Sequence, residues 1–164
     1  MIDVRLDTSF ADAALKALQD RLTDLRPVMQ GIGEYLTTST MVRFPTGKAP
    51  DGTAWAPKSP VTLERYGARK SNRIDPRPLF GPTGELSRQI HSDATSDGVT
   101  WGSNLIYAAV MQFGAAKGAF GNAANGSPIP WGNIPARPFI GLSDDDRGQI
   151  VAILDEWLSG PEEA

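Results

Sequence analysis

Apolar and charged residues alternate at the start of the chain. Ile2, Val4 and Leu6 interleave with Asp3, Arg5 and Asp7, the period-2 pattern of a half-buried strand. The period then changes. Ala11, Leu15, Leu18, Leu22, Leu25, Met29, Ile32 and Leu36 recur at spacings of 4, 3, 4, 3, 4, 3 and 4, one apolar stripe on a helical segment. Thr8 or Ser9 is placed to cap its start. Pro27 cannot donate to the carbonyl four residues back, which predicts a break or kink near Arg26. The heptad spacing fits a coiled coil, but Pro27 and the short length favour two helices facing a core.

The helical signal fades by about Arg43. From Phe44 to Pro82 come Pro45, Pro50, Pro57, Pro60, Pro76, Pro78 and Pro82, dense enough to prevent a long helix and to disfavour inner strands. This predicts an extended, projecting arm at about 45–82 with a short helix at Val61–Tyr66. Thr83-Gly84-Glu85-Leu86 starts a short helix with Leu86 and Ile90 on one face. Ser96-Asp97-Gly98 between His91–Thr95 and Val99–Gly102 is a hairpin signal. Ser103 or Asn104 caps a helix carrying Ile106, Val110 and Phe113, which Gly114 ends. Residues 114–133 are rich in glycine and read as a flexible loop, and Arg137–Leu142 as a short strand. Ser143 caps a last helix with Ile150, Leu154 and Trp157 inward, flanked by Val151, Ile153 and Leu158. Helices and strands are segregated. The expected fold is therefore α+β: one domain over 1–160, with a central antiparallel sheet packed against the N-terminal helical segment and the C-terminal helix. Trp55, Trp101 and Trp157 are expected to be largely buried.

Composition narrows the function. At 164 residues with 40% apolar and 21% charged residues, the chain has material for one core and is neither disordered nor membrane-spanning in pattern. The N-terminus lacks the continuous apolar stretch of a signal peptide, which speaks against secretion. The absence of cysteine excludes disulfides, thiolate metal sites and cysteine catalysis. A net charge of −3 argues against a generic nucleic-acid binder. That charge is unevenly spread. Lys58, Arg65, Arg69, Lys70, Arg73 and Arg77 oppose only Glu64 and Asp75, a balance of +4, whereas the chain from Asp144 onward has a balance of −6. A basic arm and an acidic tail on one chain suit contacts between subunits, with DNA as the other candidate partner of the arm.

Candidate chemistry thins on inspection. His91 is the only histidine, and no serine-plus-acid arrangement reads around it. Asp144, Asp145 and Asp146 sit where carboxylates favour a helix N-terminus, and adjacent helical residues point different ways, unlike metal ligands. Gly47-Lys48 lacks the first glycine and the final Ser/Thr of a phosphate loop. The glycines of 114–126 do not follow a strand and open a helix as dinucleotide binding requires. No catalytic set, cofactor site or metal site is expected.

Four segments together resemble the phage virion morphogenesis family, the tail completion proteins of Mu-like tailed phages. They are Phe44–Pro57, with Asp51, Gly52, Trp55 and Pro57; Leu79–Ile90, with Gly84 and Leu86; Val99–Gly114, with Tyr107, Gln112 and Gly114; and Ile134–Ser143, with Pro135, Ala136, Arg137 and Phe139. They cover about residues 44–158. Met111 stands where such proteins tend to carry a histidine. The resemblance implies a structural, non-enzymatic virion protein. It implies a homo-oligomeric ring, commonly six-fold, at the neck around the DNA channel. It also implies contacts with neighbouring neck or tail proteins and assembly in the host cytoplasm.

Overall fold

Pro27 divides the apolar stripe into two helices, α1 over Ser9–Thr23 and α2 over Arg26–Thr46. The structure, a computed structural model, describes residues 7–68, 75–81 and 83–160. The strand expected at Ile2–Leu6, the cations Arg69, Lys70 and Arg73, and Glu162 and Glu163 lie outside the described residues. Pro27 falls in the first turn of α2, where its missing N–H is one the helix leaves unpaired anyway. Pro45 is confined to the last turn, and Gly47 closes the helix at φ 67° with its N–H on the Arg43 carbonyl.

Further along, α3 spans Pro60–Ala68, α4 Glu85–Arg88, β1 His91–Ala94, β2 Val99–Gly102, α5 Ala108–Phe113 and α6 Asp144–Ser159. The Asp-Gly turn makes the expected hairpin: β1 and β2 run antiparallel, His91 opposite Gly102 and Ala94 opposite Val99. Two strands alone are marginal, and α2 supplies the support. Gly33 lets the helix lie close, since a Cβ there would come within 2.9 Å of Ser92 and Val99. The mixed helix and strand composition is the expected α+β. The sheet is smaller than expected, two-stranded among the described residues.

Two apolar clusters form the core. Val28, Ile32 and Leu36 of α2 pack with Ile150, Ile153, Leu154 and Trp157 of α6 and with Val99 of β2. Phe44, Trp55, Leu79, Leu86, Ile90, Ala108 and Phe139 form the other, and Trp101 touches both. Phe44, wholly buried, lies edge-on to Trp55 and Phe80 and tilted against Phe139.

Several expectations are overturned. α1 has no buried residue, so the first half of the stripe does not face the core. The arm expected at about 45–82 is anchored at both ends of its described part, because Trp55 and Leu79 are inserted in the core. Ile106 precedes α5 and is 96% exposed, and Phe113 faces outward too; α5 buries Ala108 instead. Arg137–Leu142 joins no sheet among the described residues and bends at Ile140–Gly141. The glycine-rich segment, read as a flexible loop at 114–133, carries a ladder of backbone hydrogen bonds between Ala115 and Ile134. Ala115 bridges Ile134, Asn122 bridges Pro128, and Phe120 and Ile129 are joined by the Phe120 N–H on the Ile129 carbonyl at 2.7 Å. Its glycines supply the positive φ that the turns need, at Gly118, Gly121 and Gly126. Trp55 is buried as expected, but Trp101 and Trp157 are half-buried and Trp131 is exposed.

Candidate functional site

The family-like residues converge although they are far apart in sequence. Asp51 and Gly52 make the turn that returns the chain after α2: the Asp51 carboxylate accepts from Thr53 N–H at 2.9 Å, and Gly52 takes φ 82°. That hydrogen bond holds the Asp51 carboxyl below its ordinary pKa. The turn delivers Trp55 to the core, where its indole Nε1 donates to the Pro138 carbonyl at 2.8 Å. Arg137 answers from the other side. Its guanidinium, buried with the residue, donates to the Ala56 carbonyl at 2.6 Å and the Pro57 carbonyl at 2.8 Å. Burial pushes its pKa down. Pro57 thus acts through its carbonyl, and Pro135 and Ala136 lie exposed before the clamp.

Gln112 fixes the same strip from α5. Its Oε1 accepts from the N–H groups of Phe139 and Ile140 at 2.9 and 3.0 Å, and its Nε2 donates to the Ile140 carbonyl at 2.9 Å. Gly114 ends α5 with φ 74°, and a Cβ there would lie 2.7 Å from the Ile134 carbonyl, so glycine is required twice over. Gly84, at φ 64°, opens α4 and sets Leu86 in the core. Tyr107 precedes α5 and remains exposed on one side. The motif therefore ties the arm's base to the 137–140 strip.

Beside it sits a pair that the sequence reading missed. Arg43 of α2 and Asp146 of α6 form a buried ion pair. Arg43 also donates to the carbonyls of Phe139 at 2.9 Å and Gly141 at 2.8 Å. Asp146 accepts from Ser39 Oγ at 2.5 Å, Tyr35 Oη at 3.2 Å, and the N–H and hydroxyl of Ser143, both at 2.7 Å. Ser143 and Asp146 form a capping box, so one aspartate caps its helix and pins it to α2. Burial pushes the Asp146 carboxyl up, but the hydrogen bonds from Ser39 and Ser143 and the charge of Arg43 outweigh it and hold the group below 3.8. The helix-start reading of Asp144–Asp146 holds; the signal for the partner was an arginine in the last turn of an apolar helix.

The basic segment is partly engaged within the chain. Lys58 Nζ donates to the Asp75 carbonyl at 2.5 Å and to the Phe80 carbonyl, and lies 5.1 Å from the Tyr66 ring centroid. Burial pushes its pKa down. Arg77 pairs with Asp75 at 2.5 Å and stacks 3.6 Å over Phe80. Arg65 lies 4.8 Å over the exposed Trp131 ring of the glycine-rich segment.

His91 is exposed on β1 and lines, with Asp93, Trp101 and Asn104, an open cavity of about 330 Å³. Among the described residues, no group of three or more His, Cys, Asp or Glu is placed to hold a metal. Among those residues no helix is long and apolar enough to cross a membrane.

Comparison with known proteins agrees with the motif. Residues 6–159 match the phage virion morphogenesis family. Tail completion protein S of Escherichia phage P2 is 28% identical over 152 residues, 85% of this chain and 93% of that protein. The putative capsid assembly protein G of Escherichia phage Mu is 28% identical over 159 residues, 96% of this chain and 94% of that protein. No solved structure matches.

Proposed function

This chain belongs to the phage virion morphogenesis family, and from that premise we propose that it is a structural, non-enzymatic component of the particle. It completes the tail and joins it to the head, as a ring of identical copies, six-fold by family expectation, at the neck around the DNA channel. The observation that carries the reading is similarity to a tail completion protein along 93% of that protein's length. The packing supports it, since Trp55, Gln112 and Arg137 of the family-like segments hold an arm's base and a strip in place, as a building block requires.

In this reading the basic segment meets carboxylates of a neighbouring subunit or an adjoining neck or tail protein. Lys58 and Arg77 already serve their own chain, so reversal is best aimed at Arg69, Lys70 and Arg73. Exposed pairs contribute about 0–1 kcal/mol each and are screened by salt. A ring multiplies them, and joining should weaken as salt rises. The test is a phage whose gene for this chain is deleted, viewed by electron microscopy. Filled heads with separate or unfinished tails are expected, restored by the wild-type chain and not by the Arg69→Glu/Lys70→Glu/Arg73→Glu variant. Normal joined particles from the deletion would overturn the proposal. Joined particles that lose DNA only with the triple variant would move the arm to a role on DNA.

A further inference from the structure

Among the described residues, nothing covers the apolar face of α1. Leu15 is 65% exposed, Leu22 54% and Leu18 37%, and Phe10 at the tip 85%. Leu15, Leu18 and Leu22 continue, with Ala11, at heptad spacing the stripe that α2 buries. Fifteen residues make a rod about 22 Å long. It is held at its base, where Arg21 donates to the Leu158 carbonyl at 2.7 Å.

At that same base lies an apolar groove of about 460 Å³. Pro27, Val28 and Gly31 of α2 form one wall, Ile153 and Trp157 of α6 the other, and Arg21 and Glu156 stand on the rim. The outer turns of α1 cannot reach it. They are on the same rigid rod, with Leu15 about 9 Å and Ala11 about 15 Å along its axis from Arg21, the α1 residue that lines the groove. An apolar rod and an apolar slot on one chain, held apart by that rod, can satisfy each other only between chains. The charges agree with this pairing. The rim has one group of each sign, Arg21 and Glu156, and the outer part of α1 likewise has Asp12 and Lys16.

We propose that α1 of one copy seats Ala11, Leu15 and Leu18 in the α2–α6 groove of a second copy. The contact is head-to-tail, which closes into a ring when the rotation between copies is right. It deepens the ring reading above and rests on that reading for closure alone. One helix in one groove is small beside a standard interface of roughly 1,600 Å². Association of the free chain should therefore be weak and concentration-dependent, strengthening only when the ring closes.

The chain has no cysteine, which makes the test clean. Two full-length variants, Leu15→Cys and Glu156→Cys, are mixed and oxidised. Each holds one thiol, so every crosslink is between chains. The mixed dimer should form in excess over both like-with-like dimers. An excess of the Leu15→Cys self-dimer would mean that two α1 stripes pair with each other, and no crosslink would mean that copies do not meet here; either overturns the proposal. Sedimentation gives a second reading. Leu15→Lys/Leu18→Lys should weaken self-association by at least about tenfold, the loss of two apolar contacts. Circular dichroism and the unfolding midpoint should be unchanged. A wild-type chain that stays monomeric at every accessible concentration would refute the contact. Failure here with tail completion intact removes this contact alone. A crosslink in a protein whose deletion leaves particles normal would remove the neck function and keep the contact.

Discussion

The two halves of one heptad stripe end in opposite environments. In α2, Ile32 and Leu36 are almost wholly buried against α6 and the hairpin; in α1, Leu15 and Leu22 are more than half exposed. Their spacing is the same, and their helical pattern is equally clear. What differs is the neighbour. α6 is fastened to α2 by the buried Arg43–Asp146 pair, and the hairpin reaches α2 where Gly33 leaves room. Among the described residues, α1 buries no side chain and is tied at its base by the Arg21 bond to the Leu158 carbonyl. A heptad stripe therefore specifies a helix with an apolar face. Whether that face belongs to the core or to an interface depends on what else folds onto it.

The largest effect should come from the fastening itself. Asp146→Ala strands the buried Arg43 guanidinium and should cost about 3–5 kcal/mol in urea unfolding, releasing α6 and making α2 resemble α1. An effect under about 1 kcal/mol would mean that apolar packing alone holds α6. Leu36→Ala should cost about 2–5 kcal/mol, while Leu15→Ala should stay within about 0.5 kcal/mol. Equal costs for the two would erase the contrast between the helices.

Acid should act on the same fastening. The folded Asp146 carboxyl sits below its ordinary value of 3.8, so its contribution is present above about pH 5 and is lost as pH falls through the lowered value. The stability gap between wild type and Asp146→Asn, measured by unfolding from neutral to acid pH, should be flat above about pH 5 and narrow below it. A gap constant down to acid would assign the shift to another carboxylate. A smaller effect than the loss of the fastening is expected at the arm's base, where Trp55→Phe keeps a ring in the core and removes the bond to Pro138. It should cost about 1 kcal/mol. A much larger loss would make that bond the main anchor of the arm.

Much of the chain was readable from local chemistry. Pro27 set the break between α1 and α2, Asp97-Gly98 set the hairpin, Ser143 set the start of α6 and Gly114 the end of α5, because each acts through its own backbone dihedrals or nearest hydrogen bonds. The motif residues were readable as a group. Their common purpose was not, because Trp55 meets Pro138, and Arg137 meets Ala56 and Pro57, across some eighty residues of chain. Arg43 stands out as an arginine in the last turn of an apolar helix, but nothing local names Asp146, 103 residues away, as its partner. The ladder at 115–134 was not legible for a similar reason: it is backbone to backbone, and glycines report the turns without reporting the pairing. Periodicity, caps and turns are short-range and are written in neighbouring residues. Which face is covered, which charge is paired and which loop is laced shut depend on contacts between distant segments, and those exist only once the chain has folded.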